Sequence, residues 1–271
     1  MSVALFYSYS IAVTFGMISH TKAFKAYRDL SQGHLNFVVL SCHSVPALKT
    51  DLQADPNAVP GPPDHFKGVG TTASALLGYI SEYQKELARS TLITVFSYFE
   101  AYLKDALQEV VDFHGGNASL KKITRERSER FFQTIPAAMQ ASKLKLQDEP
   151  SPNKADKYRK HAQILEKAGF RFPTDLLAHF GAVQLIAKID EKRGFKAHEI
   201  PTILEEALLF PLTEPDRTEF ERVRSARNRI AHGKAAALTL PTSLRHASAL
   251  RKLAAAVDAH ITKHFLIIQS I

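Results

Sequence analysis

The sequence predicts an all-α fold, an antiparallel bundle of helices. Apolar residues in the segment 90–113 recur at helical spacing: Leu92, Phe96, Phe99, Leu103, Leu107 and Val110 lie 4, 3, 4, 4 and 3 apart. Helix-start and helix-stop residues punctuate the chain beyond residue 70, with Thr71-Thr72, Gly115-Gly116, Pro215 and Gly233 at the boundaries. The one strand-like run, Asn36 to Leu40, stands isolated.

Residues 1–70 read as a poorly defined N-terminal extension that ends in a proline-rich linker. Val3 to Ile18 carry no charge, but Ser8, Ser10, Thr14 and Gly16 dilute the run. It falls just short of the ~18 apolar residues of a membrane span. No basic residue precedes it, as a secretory signal would require. A buried strand or helix, or a start at Met17, is the expectation, with no membrane role. Residues 46–70 hold Pro46, Pro56, Pro60, Pro62 and Pro63, which remove donors and force extended geometry on their predecessors. This stretch reads as the linker to the helical domain, 71–271.

Within that domain, one helix starts at Thr71 or Thr72 and another runs from about Ser90 to Phe113. No proline or glycine separates Glu82 from Phe113, so the two can be one. A basic insertion, 117–172, is broken by Pro136, Pro150 and Pro152, with helical pieces near 121–134 and 153–168. Pro173-Thr174-Asp175 opens a helix to about Ile189, and Ile200 to Leu209 reads as a short helix. Pro215 starts a helix carrying Phe220, Val223 and Ile230 that stops at Gly233. The last helix spans about Thr242 to Ile268.

Charge and cysteine usage narrow the function. The 35 basic and 27 acidic side chains leave +8, which points to a polyanionic partner. The excess sits in two blocks: 13 basic against 6 acidic residues over 119–171, and 9 against 2 over 221–271. Folding can bring both onto one face, where clustered charge attracts a phosphate backbone. The single cysteine, Cys42, can form neither an internal disulfide nor a thiolate metal site, which fits a reducing cytoplasm. A mean hydropathy of −0.14 excludes a polytopic membrane protein.

The informative segment is 222–234, RVRSARNRIAHGK. Phe220, Val223, Arg227 and Ile230 are spaced 3, 4 and 3, so Arg227 occupies a position that calls for an apolar side chain. A guanidinium on a buried seam is costly unless it meets an anion. Glu100, four residues after Phe96 and three before Leu103, lies on or beside its own helix's apolar stripe. The two are expected to meet or to share a cavity, either as a structural ion pair or as the border of a phosphate site. Asn228, His232 and Arg224 share a face at i,i+4 spacing, whereas Arg227 and His232 diverge by about 140° on a regular helix. Either the helix distorts at its end or a second copy completes the site, which favours a dimer.

Arginine, histidine and asparagine together suit RNA cleavage without metal or cofactor. Histidine can move a proton from the 2′-hydroxyl or to the leaving oxygen. Arginine can hold the scissile phosphate and stabilise its developing charge. Asparagine can fix the imidazole or hold a phosphate oxygen.

The string Arg227-Asn228-Arg229-Ile230-Ala231-His232-Gly233 resembles the Arg-(x4–6)-His motif of HEPN-domain ribonucleases. TLITVFSYFEAYLKDALQEVV, Thr91 to Val111, is similar to their early helix with an aromatic-Glu step. The likeness is closest to the RiboL-PSP type of HEPN proteins, over roughly residues 72–268. It implies a HEPN-like helical bundle that dimerises, with a composite metal-free endoribonuclease site, in toxin–antitoxin, phage-defence or RNA-processing systems. By this resemblance Arg227 and His232 are the signature pair, Asn228 the polar residue after the arginine, and Glu100 the helix acid. Arg224 is a supporting residue, and Lys121, Lys122, Arg125 and Arg229 are expected to follow the RNA backbone. A cognate antitoxin protein is a possible partner, and an inactive module that binds RNA or protein is the alternative.

Other candidates are weaker. His260 and His264 have metal-compatible i,i+4 spacing but no third ligand, and are expected to be packing or surface groups. Cys42-His43 lacks a third catalytic group. Gly68-Val69-Gly70 is only a loop fragment.

Overall fold

The computed structural model describes residues 19–59, 61, 72–130, 178–190, 196–233 and 238–266, with isolated positions between 137 and 167. The expectations for Val3 to Ile18, for Gly68-Val69-Gly70, for the opening at Pro173 and for most of 153–168 lie outside these residues. Among the described residues there is no strand, and no helix is long and apolar enough to cross a membrane.

The elements are α1 (Lys22–Ala54), α2 (Ala73–Phe113), α3 (Asn117–Arg130), α4 (Ala178–Asp190), α5 (Ile200–Thr202), α6 (Glu214–Ala231) and α7 (Leu240–His264). A 3-10 turn, Ala197–Glu199, leads into α5, and a π turn, Ile203–Ala207, follows it. Four helices begin on a threonine whose hydroxyl accepts a backbone N–H of the first turn. These are Thr21 from Phe24, Thr72 from Ala75, Thr213 from Asp216 and Thr239 from Thr242. Each cap satisfies a donor that the helix itself leaves unpaired.

The axis of the fold is α2, a single helix of 41 residues that spans about 60 Å. Its predicted stripe, Leu92 through Val110, is wholly buried. Its C-terminus is closed by Gly115 and Gly116, at φ 84° and 92°, conformations that favour residues without a Cβ. Against it, α7 runs in the same direction: Ser243 Oγ donates to the Ala88 carbonyl and Tyr102 Oη to the Ala254 carbonyl. Crossing on another side, α6 packs Phe220 between Phe96 and Phe99, with ring centroids 6.0 and 6.1 Å apart.

The N-terminal region differs from its reading in sequence. Asn36 to Leu40 is helix, not strand, and the linker does not begin at residue 46, because α1 continues through Pro46 to Ala54. Tertiary packing overrides the local signals. Tyr27, Val38 and Leu52 are buried in α1, and Tyr27 rests against Phe99 and Tyr102. Proline removes one helical donor, but the turn beyond it is supported by Thr50 Oγ1, which donates to the Pro46 carbonyl. The apolar run misleads because the helix leaves Phe37, Val39 and Leu40 more than half exposed.

The first turn of α1 is clamped by two carboxylates. The Thr21 N–H and hydroxyl both donate to Asp258 of α7, and the Lys22 and Ala23 N–H groups donate to Glu109 of α2. Anions at a helix N-terminus meet its partial positive charge as well as its free donors. Asp258 is buried, and that burial raises its carboxyl above the usual range, against the lowering by its bonds to Thr21.

Candidate functional site

The site is built on the seam between α2 and α6. Thr213 caps α6 and Pro215 pre-sets its first turn. Phe220 and Val223 then dock into the core. One turn further, the same face presents Arg227 to α2.

Arg227 lies half-buried between a ring and an acid. Its Cζ is 5.4 Å from the Phe96 ring centroid, within cation–π range. Its Nη2 is 3.6 Å from Glu100 Oε2, and the two side chains are 28% and 27% exposed. Nη1 donates to Asn228 Oδ1 at 3.2 Å, while Nε is buried with no partner. A strong charge-assisted hydrogen bond is about 2.7–2.9 Å long, so the approach to Glu100 is a loose ion pair. A buried unsatisfied donor costs about 1–3 kcal/mol. The guanidinium therefore has bonding capacity that its own protomer does not use. Burial raises the Glu100 carboxyl above its ordinary value, and the charge of Arg227 partly counters that rise.

His232 sits in a different setting. It caps the C-terminus of α6, its backbone N–H shared by the carbonyls of Asn228 and Ile230. Gly233 follows at φ 68°. The residue is exposed, and among the described residues its ring has no bonding partner. Arg227 is turned toward α2 while His232 faces out at the helix end. The structure thus joins Arg227, Asn228 and Glu100, and does not bring His232 to them within one protomer. Asn228 was expected either to fix the imidazole or to hold a phosphate oxygen. Its Oδ1 accepts from Arg227 Nη1.

The other expected residues spread further. Arg224 is held by Glu221, one turn earlier on the same helix. Arg229 is exposed in the last turn of α6. Lys121, Lys122 and Arg125 lie on α3, which begins beyond the C-terminus of α2. That terminus, Phe113, is 17 residues past Phe96, or about 25 Å along the helix axis. His260 uses Nε2 on the Leu208 carbonyl at 2.8 Å, and its ring lies 4.6 Å from that of His264 at a 48° tilt, which makes these packing groups. Among the described residues no three His, Cys, Asp or Glu side chains are arranged to hold a metal.

Sequence reasoning missed Phe96 as the platform under Arg227. Its signal was available, since Phe96 lies one turn before Glu100 on the same stripe. It also missed a cleft of about 480 Å³ between α2 and the end of α6, bordered by Glu86, Arg89, Ser90, Thr94, Ile230 and Gly233.

A family model described as RiboL-PSP-HEPN matches residues 65–263, most of the chain and all of the seam between α2 and α6. No curated protein and no solved structure matches the chain significantly.

Proposed function

The chain belongs to the RiboL-PSP-HEPN family, and from that membership we propose that it is a metal-independent endoribonuclease acting as a homodimer. The observation that carries this reading is the under-bonded guanidinium of Arg227. It is held in place by Phe96, Asn228 and Glu100, yet its side chain stays 28% exposed and its Nη groups make only a 3.6 Å ion pair and one hydrogen bond, which leaves Nη donors for an incoming anion. A bridging RNA phosphate is the anion that fits a basic chain of this kind.

In this reading Arg227 binds a non-bridging oxygen of the scissile phosphate and stabilises the charge that builds there. Glu100 and Asn228 position Arg227. An imidazole from His232 removes the 2′-hydroxyl proton, and the 2′-oxygen attacks phosphorus. The bond to the 5′-oxygen breaks, and that oxygen takes a proton from a second imidazole or from water. The products are a 2′,3′-cyclic phosphate and a 5′-hydroxyl. On a regular helix Arg227 and His232 diverge by about 140°, so in this reading the two halves of the reaction come together across a two-fold axis. Lys121, Lys122, Arg125 and Arg229 would carry the flanking RNA. A toxin or phage-defence role in the cytoplasm, restrained by an antitoxin protein, is the biological setting proposed.

The test is cleavage of a mixed RNA pool in EDTA by the wild type and by His232→Ala. Loss of cutting in the variant, with cyclic phosphate ends in the wild-type products, is the expected result. Equal cutting by both ends the assignment. Salt-sensitive RNA binding without any cleavage would instead identify a catalytically inactive HEPN module.

A further inference from the structure

The cleft bordered by Glu86 and Arg89 is not used by the steps above. It is bordered by Ile230 and Gly233, which are next but one and next to His232 in the chain. Its volume of about 480 Å³ falls within the range of small-molecule sites, about 300–1,000 Å³. Ile93 and Ile230 supply apolar surface, and Ser90 and Thr94 supply hydroxyls. Arg89 and Glu86 are one turn apart on α2, with Nη1 2.7 Å from Oε1. The arginine is 26% exposed and the glutamate 61%, so the carboxylate is the more accessible of the two.

We propose that this cleft is a base-recognition site that selects guanine next to the scissile phosphate. The inference rests on the RNA-cleaving reading of the site. A carboxylate has two acceptor oxygens side by side, and it is matched by two parallel N–H donors. Among the four RNA bases, only guanine places a ring N–H beside an exocyclic amine on one edge. Adenine and cytosine set an amine beside a bare acceptor nitrogen, and uracil sets one N–H between two carbonyls. The same guanine carries an acceptor at O6, for which the guanidinium of Arg89 is the complementary donor. The apolar walls cover the face of the base, and unpaired single-stranded RNA presents its edges for this kind of reading.

Two measurements on the full-length protein test the proposal separately from the nuclease reading. In the first, 3′-GMP, 3′-AMP, 3′-CMP and 3′-UMP are titrated against His232→Ala by NMR or calorimetry. GMP is expected to bind about tenfold or more tightly than the others, and Glu86→Gln in the same background is expected to abolish that preference. Glutamine opposes an amine to the guanine donors while leaving an exposed helix position of similar shape. In the second, cut sites of the wild type and of Glu86→Gln are mapped on a random-sequence RNA. The wild type is expected to cut beside guanine, and the ratio of guanine to other sites is expected to collapse in the variant. Equal affinity for the four nucleotides, or an unchanged ratio in Glu86→Gln, overturns the proposal even if cleavage is robust. Selective GMP binding in a protein that cuts no RNA supports the cleft and removes the nuclease assignment.

Discussion

Near its C-terminal end α2 contributes Glu109 to the clamp on the first turn of α1, and 9 residues earlier it presents Glu100 to Arg227 of α6. Both are acidic sites facing groups of positive character, and both lie at helix junctions. In the clamp the bonds are closed: the Thr21, Lys22 and Ala23 N–H groups and the Thr21 hydroxyl all reach a carboxylate of Glu109 or Asp258. At Arg227 they are open, with a 3.6 Å ion pair, one side-chain hydrogen bond and one orphaned donor. Closed polar networks hold a fold in register. In the open one the Nη groups belong to a side chain still 28% exposed, and on the proposed function it is these that a phosphate uses.

The sharpest way to break this comparison is to remove the open pair altogether. Arg227→Met combined with Glu100→Gln is expected to lower RNA cleavage by about 100-fold or more. Its stability to urea should stay within about 1 kcal/mol of wild type, because replacing both members of a pair with uncharged groups strands no charge. An active double variant would reduce the pair to a structural tie. The converse change, Asp258→Ala, attacks the closed cluster. Stability is expected to fall by about 3 kcal/mol as the donors of Thr21 lose their acceptor, with cleavage per folded molecule retained.

Acidity gives a smaller effect that sharpens the contrast. Burial raises the Glu100 carboxyl above 4.5, so in the window just above that value the folded chain binds more protons than the unfolded one. The contribution of Glu100 to stability is therefore full below 4.5 and is lost as pH rises through its higher folded value. Glu100→Gln is expected to flatten this part of the profile, measured as urea midpoints at steps from pH 4.5 to 7. A slope identical to wild type would place the titration elsewhere.

The sequence exposed much of this arrangement because packing periodicity is a local property. The stripe from Leu92 to Val110, the cap at Thr72 and the stops at Gly115 and Gly233 could all be read one turn at a time. Arg227 was visible as a misfit for the same reason, and so was its meeting with Glu100. What could not be read depends on neighbours distant in the chain. Residues 36–40 resemble a strand until Val38 finds a buried place on a helix face. Pro46 suggests a linker until Leu52, beyond it, is buried. The hydrogen bond from Arg227 to Asn228 Oδ1 depends on a rotamer that spacing alone does not fix. The cleft at Glu86 needed two helices to cross before it existed.

The end of α6 carries one further consequence. The arginine is embedded in the bundle, while the histidine lies just past the last helical residue, beside a glycine in left-handed conformation. On the proposed mechanism, a lone chain holds two half-tools aimed in different directions. At concentrations below the dimer dissociation constant, output would then rise with the square of protein level. A cell could tolerate a trickle of this polypeptide and feel its effect only after a burst of synthesis.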